Sequence, residues 1–205
     1  PEPIVLALTN HTSYNNTISE LTEVVTSSGE KIIFFISPIS NSGAKALWRT
    51  DGTVAGTSIV EIFHNGWGIG HLTEYNGLLY FSYGNGSSDP QTGLWVSDGT
   101  LAGTNLAVNF GSSGSYSSPY VPHSNKITGL QQSKSDGFII LNQEMYFLAY
   151  DENNGTELWR SDGTLAGTWM VKDINTGSSG SNIESIVKVG NEIFFRADNT
   201  STWDY

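Results

Sequence analysis

Cysteine is absent from the 205-residue chain, so disulfide staples, thiol catalysis and thiolate metal sites are excluded, and the fold must stand on its hydrophobic core. Basic residues are scarce: nine Lys and Arg face 20 Asp and Glu, a formal charge of -11. That field repels phosphate backbones and anionic lipid, and no basic stripe offsets it, so neither nucleic acid nor membrane insertion is expected. No apolar run approaches the ~18 residues that span a bilayer. Charge of either sign is low, at 14% of the chain, so the surface must be made largely from Gly, Ser, Thr and Asn, unlike a solvated helical protein or a charged disordered one. The start, Pro1-Glu2-Pro3, has no Met and no basic leader, and reads as a processed or excised piece.

What the chain does have is a repeat. Ala46 to Thr57 (ALWRTDGTVAGT), Leu94 to Thr104 (LWVSDGTLAGT) and Glu157 to Thr168 (ELWRSDGTLAGT) are one motif written three times. Each copy follows a β-rich run (Lys31 to Ser37, Leu78 to Tyr83, Glu144 to Tyr150) and precedes another (Ser58 to Phe63, Asn105 to Phe110, Trp169 to Ile174). Upstream lie Leu21 to Thr26, His71 to Tyr75 and Phe138 to Leu141, joined to the next run by turn residues such as Ser28-Gly29 and Asn76-Gly77. Every unit is therefore expected to be four short antiparallel strands, A to D, with Asp-Gly turning C into D.

Four-stranded units of about 45 residues are the signature of propeller blades. The repeat tryptophans Trp48, Trp95 and Trp159 are 47 and 64 residues apart, and Trp203 follows after another 44. The expected architecture is all-β, a four-bladed β-propeller in one domain spanning 1-205. Blade 1 is 21-63, blade 2 is 69-110, blade 3 is 137-174 and blade 4 is 183-205 plus 2-8, with 111-136 an inserted loop. The fourth unit stops before its strand D, and Glu2 to Leu8 aligns with Thr57 to Phe63, so the N-terminal strand is expected to close the last blade. The alternative is part of a longer open array.

The string ELWRSDGTLAGT at 157-168, followed by Val171-Lys172-Asp173-Ile174, resembles the bacterial ELWxxDGT repeat family. Ala46 and Gly93 replace the Glu in the first two units, and only Trp203 of the motif remains in the fourth. The resemblance implies a secreted or surface-displayed bacterial protein, often large and modular, with no agreed activity. A four-bladed ring would be similar in architecture to hemopexin domains, which are binding modules. The Ser-Asp-Gly-Thr turns are also similar to the Asp-box of sialidases, itself a structural turn, although the spacing differs.

Residues that repeat are expected to be scaffold: Trp48, Trp95, Trp159 and Trp203 pack between units, and Asp51, Asp98 and Asp162 hold turns. Function is expected where the units disagree. The B–C and D–A connections share one face and vary, whereas the A–B and C–D turns share the other and are stereotyped. On the variable side lie Trp67, flanked by glycines, then Tyr116, Tyr120 and His123 of the 26-residue connection 111-136, and His64 and His71. Aromatic faces beside Asn, Asp and Gln suit glycan or peptide contact, against which stands simple packing of loop on loop. Asp151, Asn153 and Glu157 alternate oxygen ligands before a Gly and suggest calcium as the one candidate cofactor, with a solvated polar turn as the other reading.

No nucleophile-base pair, HExxH, GxSxG or phosphate loop is present, and only Arg49, Arg160 and Arg196 could meet a substrate carboxylate. The leading expectation is a non-catalytic extracellular or cell-surface module, lectin-like or adhesive, that binds glycan or peptide. A structural or protein-interaction propeller of a larger secreted protein is the alternative, and a glycoside hydrolase, with carboxylates paired only in space, the third.

Overall fold

Lys31 to Pro38 shows how this sequence makes strands: bulky β-favouring residues alternate their side chains between two apolar faces, Ile32, Phe34 and Ile36 on one and Ile33 and Phe35 on the other. The computed structural model describes residues 18-39, 43-64, 68-84, 91-110 and 138-199. Within them the protein is all-β, with three four-stranded antiparallel sheets and a two-stranded hairpin. Sheet 1 comprises β1 (Ser19–Val25), β2 (Lys31–Pro38), β3 (Lys45–Thr50) and β4 (Ser58–Phe63). Sheet 2 comprises β5 (Gly70–Tyr75), β6 (Leu78–Tyr83), β7 (Gly93–Ser97) and β8 (Asn105–Asn109). Sheet 3 comprises β9 (Ile139–Leu141), β10 (Glu144–Asp151), β11 (Gly155–Ser161) and β12 (Thr168–Lys172). Sheet 4 is the hairpin of β13 (Glu184–Val189) and β14 (Glu192–Arg196).

Each four-stranded sheet is a meander whose strands neighbour one another in chain order. Asn76-Gly77, both at positive φ (53° and 77°), turn β5 into β6, the two-residue geometry that matches strand twist. The expected strands are found within one or two residues, the largest differences being at β1, which begins at Ser19 rather than Leu21, and at β12, which ends at Lys172 rather than Ile174. The N-terminal segment 2-8, the insertion 111-136 and Trp203 lie outside the described residues.

The registers superpose the sheets residue by residue. Phe35, Phe81 and Phe147 of the second strands pair with Trp48, Trp95 and Trp159 of the third. Each sheet thus has a forward face and a rear face. The forward face of sheet 1 (Val24, Ile32, Phe34, Leu47) meets the rear face of sheet 2 (Leu72, Leu79, Phe81, Trp95) in one core. A second core joins the forward face of sheet 2 (Tyr75, Tyr80, Leu94) to Met145 and Phe147 of sheet 3, then Leu148 and Leu158 to Ile186, Ile193 and Phe195 of sheet 4. Polar ties cross the same junctions: Thr22 Oγ1 donates to Leu72 O (3.0 Å), Tyr75 OH to Gln143 O (2.5 Å) and Lys188 Nζ to Ile140 O (2.8 Å).

Candidate functional site

Antiparallel order gives every sheet two ends, and the third-to-fourth-strand turns occupy one of them. Here the motif builds the same lock three times. Asp51, Asp98 and Asp162 each accept, on Oδ1, the backbone N–H of the Thr two residues on (2.8 to 2.9 Å) and its hydroxyl (2.7 Å). That Thr Oγ1 accepts from the N–H of Gly56, Gly103 or Gly167, and its carbonyl accepts a hydrogen bond from the last Thr hydroxyl. Gly52, Gly99 and Gly163 sit at φ of 90° to 93°, where a side chain is strained. A Cβ on Gly56, Gly103 or Gly167 would overlap the aspartate. The Thr53 and Thr164 hydroxyls, then their N–H groups, hold the carboxyls of Asp51 and Asp162 below their ordinary range. The repeated Asp, Gly and Thr letters are thereby used inside the turn.

The opposite end differs from sheet to sheet. His64 is exposed just beyond β4. His71 is partly buried in β5, with its Nδ1 2.8 Å from Ser82 Oγ and its ring stacked at 6.4 Å on Phe138. Trp67, Tyr116, Tyr120 and His123 lie outside the described residues, so of the six expected ligand contacts only the two histidines are placed.

Sequence inspection missed the setting of His71. It has φ 61° and is the extra residue of a bulge near the start of the first strand. Glu20 (φ 52°) and Ser185 (φ 55°) hold the same place in sheets 1 and 4. Glu20 Oε2 accepts the N–H of Leu72, the residue after His71, at 3.0 Å, so two bulges are tied across the junction. The corresponding residue of the third unit is Gly137, outside the described residues. The signal was an alignment on the apolar residues Leu21, Leu72, Phe138 and Ile186, which puts Glu, His, Gly and Ser in one column.

Two of the three expected calcium ligands, Asp151 and Glu157, have protein partners for their carboxylates. Asp151 Oδ1 accepts the N–H of Asn153 (2.8 Å) and of Asn154 (3.0 Å), and both its oxygens accept from Asn154 Nδ2. Glu157 is fully buried, where Oε2 accepts from Ser181 Oγ (2.5 Å) and Oε1 from Asn175 N–H (3.4 Å). Asn175 Nδ2 in turn donates to Gly180 O (2.6 Å) and Ser181 N–H to Thr156 O (3.1 Å). Glu157 therefore pins loop 175-181 to β11. Among the described residues, no group of three His, Asp or Glu is arranged to hold a metal ion.

Compared with known proteins, the chain matches no family model, no curated protein and no solved structure. Its own geometry carries the reading.

One further cluster distinguishes sheet 3. Arg160 lies with its guanidinium carbon 4.2 Å from the Trp169 ring centre and donates to Glu144 Oε2 (2.9 Å), which also accepts from Tyr146 OH (3.0 Å). Burial, then the Glu144 carboxylate, raises the Tyr146 phenol above its ordinary value. Arg49 is the sheet 1 counterpart of Arg160. It pairs with Glu30 (3.3 Å) and reaches across to Gly99 O of sheet 2 (3.3 Å), so this arginine is an interlock between sheets.

Proposed function

We propose that the four sheets are blades of a four-bladed β-propeller, completed by the N-terminal strand 2-8, and that the protein is a non-catalytic ligand-binding or adhesion module of the cell exterior. The ligand, a glycan or peptide, is met at the end that carries the unlike loops, by Trp67, Tyr116, Tyr120, His123, His64 and His71. One observation carries this reading. The Asp-Gly end is the same lock three times, its repeated polar groups consumed internally, whereas the other end offers an exposed histidine, a bulged histidine and a Glu-pinned loop in different sheets. Recognition needs side chains that differ and are free to vary, and a propeller gathers such loops around one mouth.

A glycan array probed with and without millimolar calcium tests the idea. Selective binding, lost in Trp67→Ala and retained in Leu101→Ser at the opposite end, is the expected result. An array without hits, together with a melting temperature unmoved by calcium chelation, favours the structural or protein-interaction propeller instead. Turnover of a chromogenic glycoside would move the protein to the hydrolases.

A further inference from the structure

The superposition of sheets exposes a mismatch at the two ends of the series. Leu21 is 59% exposed, while its counterparts Leu72, Phe138 and Ile186 are 3%, 5% and 5% exposed. Ile33 repeats the pattern: it is exposed, and Leu79 and Met145 in the same place are buried. These residues lie on the rear face of sheet 1, the face that in sheets 2, 3 and 4 rests on the sheet before. At the other end, Phe194 on the forward face of sheet 4 is 51% exposed, against 1% for Phe34 and 6% for Tyr80. Val189 is likewise exposed where Val24, Tyr75 and Leu141 are buried.

A rear face and a forward face are the two halves of a junction that this molecule already forms between consecutive sheets. The open halves keep apolar residues at these places, Leu21 and Ile33 on one and Val189 and Phe194 on the other, although Glu192 and the Arg196–Glu184 ion pair (2.8 Å) share the Phe194 face; solvent contact alone would not require the apolar ones. The internal junctions also show what meets the ring at the Phe194 position. Gly99 lies against Phe34 and Gly163 against Tyr80, so the Asp-Gly turns of sheets 2 and 3 cover the rings of sheets 1 and 2.

We propose that the forward face of β13–β14 docks on the rear face of sheet 1 of the same chain, with Phe194 covered by the Asp51-Gly52 turn and Leu21 and Ile33 buried beneath the fourth sheet. This rests on the propeller reading and names the interface that closes the ring. The same chain is chosen over a second copy for two reasons. Joining the ends of one chain needs no bimolecular encounter and profits from a high effective concentration. Two copies, each at -11, repel.

A double-mutant cycle on thermal unfolding tests it, using Leu21→Asp and Phe194→Asp in the full chain. Leu165→Asp, at an exposed turn position that belongs to neither apolar core, is the control. Sedimentation velocity and small-angle scattering of the unmutated protein accompany the cycle. The expected result is a compact monomer, a fall of ~5 °C or more in melting temperature for each end variant, and a double variant falling by less than the sum. The control should stay within ~2 °C of the unmutated protein. Leu21→Ala and Phe194→Ala carry the same cycle if the aspartates fail to fold. End variants that behave like Leu165→Asp in a protein that is still a compact monomer overturn this joint and leave a ring closed by other contacts standing. An extended monomer, or a protein that associates with concentration until an end variant blocks it, overturns the joint and the ring together.

Discussion

At the scale of single residues, the Asp-Gly-Thr lock makes stability depend on the charge of a few surface carboxylates. The carboxyls of Asp51 and Asp162 are depressed because Thr53 and Thr164 hydrogen-bond to the ionised form, and burial opposes this only weakly. A depressed folded value means that the unfolded chain takes up the proton first as pH falls. The contribution of these turns is therefore complete above the ordinary carboxyl value and lost as pH drops through the lower, folded one. The melting temperature should be flat with respect to these two groups from pH 7 to about pH 5 and decline below about pH 4. In Asp51→Asn/Asp162→Asn the amide oxygen can still accept both hydrogen bonds. That double variant should melt somewhat lower at pH 7 and lose part of the acid-side slope, as differential scanning calorimetry across pH would record. An unchanged slope would assign acid sensitivity to other carboxylates.

At the scale of elements, strands and Asp-Gly turns could be read from the chain because both are local. Alternation over Lys31 to Pro38 fixes a strand and its faces, and a turn that closes within seven residues shows all its partners in one string. The bulges at Glu20, His71 and Ser185 could not be read in the same way. A bulge is one extra residue in a strand, and these three share no chemistry, only a backbone angle. Glu157 is illegible for a second reason: its partners Asn175 and Ser181 are 18 and 24 residues away, and only tertiary packing brings them near. Its chemistry, once placed, gives a sharp expectation. Glu157→Ala leaves the Ser181 hydroxyl and the Asn175 N–H buried without an acceptor, a loss of roughly 2–4 kcal/mol. Hydrogen exchange should quicken across 175-181 and β11, while sheet 1, whose apolar core is separate from the one that holds sheet 3, keeps its protection. Faster exchange spread evenly over all sheets would mean that Glu157 serves the whole core rather than one loop.

At the scale of the whole molecule, the question is whether four like sheets behave as a series or as a unit. In an open array each sheet touches only its neighbours, so terminal units unfold with less free energy than internal ones and exchange separates them. A closed ring has no terminal unit, because opening any junction leaves the others strained and exposes two apolar faces at once. Sheet 4 decides between these cases. Among the described residues it is only a hairpin, and an isolated two-stranded hairpin is marginal in water, so β14 can be strongly protected only if both its faces are packed. One face rests on sheet 3 through Ile193 and Phe195. Native-state exchange under rising denaturant should therefore find the slowest amides of β2, β6, β10 and β14 converging on one global opening if the ring closes. If β14 and the outer residues of sheet 1 instead open through separate events several kcal/mol below the global value, the molecule is a linear stack whose ends fray. The loops at its variable end would then line an edge rather than surround a mouth.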